Sequence, residues 1–325
     1  MSNKVLVVGG AGYVGSHAVL ALTDAGYDVT VFDDLSTGHA EFVQTNLQIG
    51  SILDRAALTE VFAAQEFDAV LHFAAKAYVG ESVVDPEKYY RTNVVGTLNL
   101  LSAMKEYNVK NIVFSSTCAT YGVPETLPIT EETPQQPINP YGRTKLAIEW
   151  AIRDYVQAYG GNYTILRYFN VAGADPSLRI GERHDPETHL IPLVIQAALG
   201  RRETISVYGN DYPTPDGTCI RDYVHVSDLA DAHVRALQRM ESEAVNQEFN
   251  VGVGRGYSVM EVIRATEQLA GRHISVVIQP RRAGDPAELV SAAERIHNST
   301  GWTPKFRSIT DIVETAFKWH EKDQE

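Results

Sequence analysis

The chain has 325 residues, 44% hydrophobic and 21% charged, with ordinary Gly and Pro usage, enough for one large α/β unit or two closely packed domains and unlike a disordered or collagenous chain. Its 28 Lys and Arg stand against 41 Asp and Glu; the net charge of −13 argues against nucleic-acid binding, and an anionic ligand would need local cations inside a cleft. The longest apolar runs, such as Val5–Val8 and Ala69–Leu71, are strand-sized and fall far short of the ~18 residues a membrane span needs.

Met1-Ser2-Asn3-Lys4 runs directly into the first candidate strand and leaves no room for a signal peptide. The two cysteines, Cys118 and Cys219, are too few for a disulfide scaffold or a zinc site and read as packed thiols. A cytoplasmic setting, no membrane contact and no metal are therefore expected.

Candidate strands are Lys4–Gly9, Asp28–Asp33, Ala69–Phe73, Asn111–Ser115 and Tyr163–Tyr168. Helical stretches at Gly12–Ala25, Asp54–Ala64, Pro86–Tyr107 and Tyr141–Tyr159 alternate with them, the pattern of a doubly wound, Rossmann-like parallel sheet. In Pro86–Tyr107, Tyr90, Val94, Thr97, Leu98, Leu101 and Met104 recur at helical spacing. This helix and Tyr141–Tyr159 could bury their apolar stripes in the core or against a second subunit. After Asn170 the alternation gives way to the polar stretch Ala174–Thr188 and mixed short elements. The reading is a cofactor domain over 1–170 and a smaller mixed α/β substrate lobe over 171–325. A strand near 249–251, following the helix Val226–Met240, returns to the first sheet.

Gly9-Gly10-Ala11-Gly12-Tyr13-Val14-Gly15 follows the first strand and opens the first helix. Glycines there permit a tight turn, close approach of a pyrophosphate and close helix–sheet packing, with the phosphates at the helix N-terminus. The second strand ends in Asp33-Asp34, about 20 residues on, where a ribose diol needs an acceptor; an acid there repels a 2′-phosphate and favours NAD over NADP.

Tyr141 and Lys145 lie one helical turn apart on one face. A tyrosine titrates near pH 10, so service as a base near neutrality needs a shift of roughly 3 units, about 4 kcal/mol. Lys145 and a positively charged nicotinamide both push that way. Ser115-Ser116-Thr117 puts hydroxyls at a strand's carboxyl end, where open parallel sheets hold ligands.

Gly9–Gly15 together with Tyr141–Lys145 resembles the extended short-chain dehydrogenase/reductases over nearly the whole chain. Further stretches resemble the UDP-glucose 4-epimerase family: His72–Ala75, Val79–Ser82, Tyr89-Tyr90 with Asn93, Leu166–Asn170, Tyr208–Thr214, Asp216–Thr218, Arg221–Val226 and Pro280–Asp285. The resemblance implies a homodimer that interconverts UDP-glucose and UDP-galactose. Hydride would pass from sugar C4 to bound NAD, leave a 4-keto sugar, and return to its other face.

By the same resemblance Tyr141 is the base, Lys145 holds the nicotinamide ribose, and Thr117 contacts the reacting oxygen. NAD contacts fall to Gly9, Gly12, Tyr13, Val14, Gly15, Asp33, Asp34, Ser51, Ile52, Phe73, Ala74, Ala75, Asn93, Ser115, Tyr141, Lys145 and Tyr168. Arg221 and Arg282 would grip the UDP pyrophosphate, while Asn170, His189, Leu190 and Tyr208 surround the sugar and uracil, with Asp285 beside them.

Departures from the family pattern are Val8 for a threonine, Ser51 for an aspartate beside adenine, and Ala77 for a lysine, with Lys76 one place earlier. Leu289 stands where hexose-restricted epimerases carry a large aromatic, which leaves N-acetylated UDP-hexoses open as substrates. The related 4,6-dehydratases carry Asp-Glu after the threonine; Cys118-Ala119 here cannot move the protons dehydration requires. Another nucleotide-sugar epimerase or an oxidoreductase of the same superfamily is the alternative on fold grounds.

Overall fold

Runs rich in Val, Leu and Ile become strands buried on both faces, which requires helices above and below them. The computed structural model describes residues 3–282 and 285–323. Strands β1 (Lys4–Val8), β2 (Asp28–Asp33), β3 (Asn46–Ile49), β4 (Ala69–His72), β5 (Asn111–Thr117) and β6 (Asn162–Tyr168) pair in parallel throughout. Helices α1 (Tyr13–Asp24), α2 (Arg55–Ala64), α3 (Val79–Val84), α4 (Pro86–Tyr89), α5 (Gly96–Glu106) and α6 (Pro140–Tyr159) run between them. Val5 through Val8 are fully buried.

Two features depart from the pattern read along the sequence. Strand β3 has no apolar run: it is an edge strand in which Ile49 is largely exposed, so only pairing with β2 reveals it. Pro86–Tyr107 is not one regular helix, because a wide π-helical turn, Tyr90–Val95, separates α4 from α5. This register shift divides the stripe, burying Thr97, Leu101 and Met104 while Tyr90 and Leu98 face outward. It also turns Asn93 fully inward.

Beyond residue 169 the elements are β7 (Asn170–Ala172), α7 (Leu190–Ala198), β8 (Ile205–Tyr208), β9 (Ile220–His225), α8 (Val226–Ser242), β10 (Gln247–Val251), β11 (Gly256–Ser258), α9 (Val259–Ala270), β12 (Val276–Gln279), β13 (Glu288–Leu289), α10 (Glu294–Thr300) and α11 (Ile309–Lys322). Strand β10 joins β6 in parallel and completes a seven-stranded sheet in the order β10-β6-β5-β4-β1-β2-β3. Helix α8 packs on α1, so Leu229 and Leu237 share a core with Val19 and Leu22. The rest forms a second layer in which β9 pairs with β7, β11 and β13, beside a separate β8–β12 pair. Its core runs through Ile191, Ile195, Tyr257, Ile312 and Val313. No helix among the described residues is long and apolar enough to cross a membrane.

Candidate active site

The glycine turn closes against the neighbouring strand so tightly that side chains are sterically excluded. Gly9 has φ +83°, and a Cβ on it would lie 2.3 Å from Ala74 N; a Cβ on Gly15 would lie 2.1 Å from Gly9 O. Phe73 N and Ala74 N both donate to Val8 O, at 2.7 and 3.0 Å, which fixes the floor of the turn. Helix α1 begins at Gly12 with no side-chain cap on its first amides, leaving the positive end of the helix available to a phosphate. These residues fit a dinucleotide. Tyr13, by contrast, points its phenol away to the second layer, donating to Gly173 O at 2.6 Å, and Val14 packs against the core, so both offer backbone alone.

Asp33 does more than await a ribose. Its carboxylate accepts Ala11 N at 2.9 Å and Leu35 N at 2.8 Å, bracing the glycine turn, while burial holds its pKa above the ordinary value. A carboxylate has further lone pairs, so acceptance of a hydroxyl is still open. Asp34 is exposed and accepts Ser36 N, and Lys76 Nζ donates to Ser36 Oγ at 2.9 Å. Ser51 Oγ accepts Leu53 N, and Ile52 is buried under α5, its carbonyl accepting Asn99 Nδ2. Asn93 exchanges hydrogen bonds with the Lys76 backbone at 2.8 and 3.0 Å and donates to Thr144 Oγ1 at 3.0 Å, tying the strand beyond Ala75 to α6.

Asn139 caps α6, its Oδ1 accepting Gly142 N at 2.8 Å, with Pro140 as the first helical residue. A Cβ on Gly142 would sit 2.5 Å from Ala119 O, so the first turn of α6 lies against the end of β5. Tyr141 thereby meets Thr117, whose hydroxyl favours the phenolate. Lys145 Nζ donates to Ser115 O at 2.8 Å, and Ser115 Oγ donates to the Tyr168 hydroxyl at 3.0 Å. Strand β5 runs two residues beyond the expected Ser115, pairing Ser116 and Thr117 with Arg167 and Tyr168.

Burial dominates the electrostatics of this pair. It holds the Tyr141 phenol well above the ordinary tyrosine value and brings Lys145 down to about 7, opposed only by the charge of Glu149. Lys145 therefore does not by itself turn Tyr141 into a base, which leaves the positive charge of the nicotinamide as the other contribution the sequence reading named. The reason is desolvation: both groups are more than nine-tenths buried, and each pays to carry charge.

Behind the pair is a network the sequence reading missed. Glu149, fully buried, accepts Ser116 Oγ at 2.6 Å and Arg167 Nη2 at 2.7 Å; Arg167 also reaches Glu248 and the Tyr121 hydroxyl. Glu149 lies one further turn along α6 from Lys145, so the four-residue recurrence Tyr141, Lys145, Glu149 was its available signal.

In the second layer Arg221 is buried, donating to Ile220 O at 2.7 Å and pairing with Asp285. Arg282 stacks its guanidinium 4.0 Å over the Tyr208 ring. Asn170 is exposed at the start of β7, and Leu190 begins α7. Leu289 lies opposite Arg221 in the β13–β9 pairing and packs with the cluster of Cys118, Tyr121, Ile129 and Phe169. The Ala283 and Gly284 positions of the arginine segment lie outside the described residues. His189 directs Nδ1 at Glu182 and Glu187, 3.0 Å from each.

The pattern of the NAD dependent epimerase/dehydratase family matches residues 5–252, spanning the glycine turn, Tyr141 and Lys145. A UDP-glucose 4-epimerase of Halalkalibacterium halodurans is 50% identical over 319 residues, covering 98% of this chain and 96% of the relative. This chain belongs to that family. Among solved structures, a UDP-glucose 4-epimerase from Brucella ovis in complex with NAD is 50% identical, with a TM-score of 0.95 and 98% of each chain covered. Another from Bifidobacterium longum, in complex with NAD+ and UDP, is 40% identical, with a TM-score of 0.95 and 99% of each chain covered. The epimerase family brings NAD with it as cofactor, which the excluded Cβ positions at Gly9 and Gly15 fit on independent steric grounds.

Proposed function

We propose that this epimerase interconverts UDP-glucose and UDP-galactose by inverting sugar C4. One observation carries the reading: Thr117, Tyr141 and Lys145 converge at the carboxyl end of β5, next to a glycine cradle with an uncapped helix end. NAD, when bound, supplies the hydride acceptor and returns the hydride. Tyr141 takes the proton from the C4 hydroxyl and gives it back after the 4-keto sugar has turned over, with Thr117 holding the same oxygen. Burial raises the Tyr141 pKa, and the positive charge of bound nicotinamide would lower it towards use as a base. Lys145, anchored to Ser115 O, offers its remaining N–H donors to the nicotinamide ribose.

Arg221 and Arg282 would take the pyrophosphate, Arg221 from a position already fixed by Asp285 and the Ile220 carbonyl. Around the sugar stand small polar and apolar groups, Thr117, Asn170 and Leu289, so the nucleotide is gripped and the ring is free to rotate. Leu289, in place of a large aromatic, leaves room for an N-acetyl group.

Incubation of the pure protein with UDP-galactose, UDP-N-acetylgalactosamine and UDP-xylose separately, with product identification, tests the reading. C4 epimers of the first two are expected, and a 4-keto or dehydrated product from UDP-galactose would refute it.

The setting we infer is cytoplasmic, and the assembly a homodimer. Outward-facing Tyr90 and Leu98, with Trp150 on α6 58% exposed, give the apolar surface for a two-helix contact from each subunit. Light scattering at micromolar concentration should give twice the chain mass.

A further inference from the structure

The long loop between β7 and α7 carries the pattern Glu182-x-His184-x-x-Glu187-x-His189. Of these four only His189 enters the reading above, as a neighbour of the sugar and uracil by resemblance; Glu182, His184 and Glu187 have no part in it. One donor atom from each of the four side chains lies within 4.8 Å of all the others. His189 Nδ1 is 3.0 Å and His184 Nδ1 3.2 Å from Glu182 Oε1, and His184 Nδ1 is 3.7 Å from Glu187 Oε2. A tetrahedral zinc ion with ligand bonds of about 2.0–2.2 Å sets its donor atoms about 3.3–3.6 Å apart, inside that spread.

A second observation points the same way. The Glu182 side chain is only 3% exposed, yet its Oε1 and the Nδ1 of His184 make no aligned hydrogen bond, close as they are. These two atoms are left without a hydrogen bond, whereas His189 Nδ1 bonds Glu187 Oε1 at 3.0 Å. A buried carboxylate oxygen left so is costly, and a cation beside it removes the cost.

The loop is also built to hold its shape without a ligand. Trp319 Nε1 donates to Glu182 O at 3.2 Å, Arg183 pairs with Glu41 at 2.6 Å and with Asp323, and Arg179 Nε holds Asp175 at 2.9 Å. Preformed donors lose little entropy on binding.

We propose that Glu182, His184, Glu187 and His189 bind one divalent transition-metal ion, with Zn2+ the best match to two imidazoles and two carboxylates at tetrahedral spacing. Four protein donors close the coordination shell, so the ion is structural and takes no part in hydride or proton transfer. Its place explains its use. The His184 ring lies edge-on to Tyr13, from the glycine turn, and to Tyr78, at the start of α3, with centroids 6.1 and 6.2 Å away. The ion therefore fastens the substrate-side loop to the cofactor side at the residue that opens α7. The sequence reading assigned no metal because it weighed only the cysteines.

The test uses tag-free protein with its NAD, dialysed against chelator and titrated with ZnCl2. One zinc per chain by mass spectrometry of the metal, with a raised Tm, is expected. Co2+ in its place should give the visible bands of a tetrahedral site at the same stoichiometry. Glu182→Gln and His184→Ala should each weaken zinc binding by more than the about 10–100-fold that loss of an outer-shell partner brings. Circular dichroism and NAD content show whether these variants are folded. Uptake well below one ion per wild-type chain, or full-affinity uptake by folded Glu182→Gln and His184→Ala, overturns the proposal; should both variants unfold, the wild-type titration decides alone.

Discussion

The two halves of the proposed site would recognise charged ligands in opposite ways. On the cofactor side the work is done by backbone: Gly9 and Gly15 clear space, Asp33 spends its oxygens on Ala11 and Leu35 amides, and α1 presents uncapped N–H groups. On the proposed substrate side it would fall to long side chains already paired with something else, Arg221 with Asp285 and Arg282 with the Tyr208 ring. A backbone cradle is rigid and suits a cofactor that must stay through every cycle. Paired side chains can exchange partners, which suits a nucleotide that must arrive and leave.

The contrast breaks most sharply at Gly15. In Gly15→Ala the new Cβ would lie 2.1 Å from Gly9 O, a clash that only backbone movement relieves, so the protein should purify without NAD and without activity. Release of nicotinamide on denaturation, compared with wild type, measures this. NAD bound at wild-type stoichiometry would mean the cradle is not rigid.

At the boundary between the two sides, Tyr141→Phe keeps ring packing and removes the proton acceptor. Turnover should fall about 10²–10⁴-fold with NAD retained, as for loss of a general base. Steady-state rates with UDP-galactose give the figure, and a rate above half of wild type would remove Tyr141 from its role.

Arg221→Ala tests the substrate side. It leaves Asp285 half-buried without its partner and removes a cation from the diphosphate; truncating one member of such a pair typically costs about 2–5 kcal/mol. KM for UDP-galactose should rise at least about tenfold while bound NAD is unchanged, a split that steady-state kinetics and nicotinamide content together resolve.

The smallest effect concerns stability. Burial holds Lys145 at about 7 in the folded chain against an ordinary 10.5, so between these values the unfolded chain binds the extra proton. Folding stability of the wild type should therefore rise, relative to Lys145→Met, as pH increases from about 7 towards 10.5, and level off below 7. Urea midpoints at several pH values show the divergence; parallel curves would mean that the ammonium is not desolvated.

The same contrast sets what could be read from the chain. Gly9–Gly15, the Asp33 strand end and the Tyr141–Lys145 turn were legible because each is a local pattern within a few residues, and the parallel sheet followed from βα alternation. The Arg167–Glu149 and Arg221–Asp285 pairs join residues 18 and 64 positions apart, which no local period encodes. Edge strand β3 was hidden because it has no buried face to leave a hydrophobic mark, and the π turn because its helical stripe persists on either side. Glu182, His184, Glu187 and His189 were in plain view, but in a segment whose polarity read as loop.

Hydride leaving C4 should come back to the same sugar without escaping the protein. Pure enzyme given UDP-galactose deuterated at C4, with no added cofactor, should yield UDP-glucose that keeps the deuterium at C4, and unlabelled substrate in D2O should gain none there. Loss of the label to solvent, or to an added pool of unlabelled NAD, would contradict it.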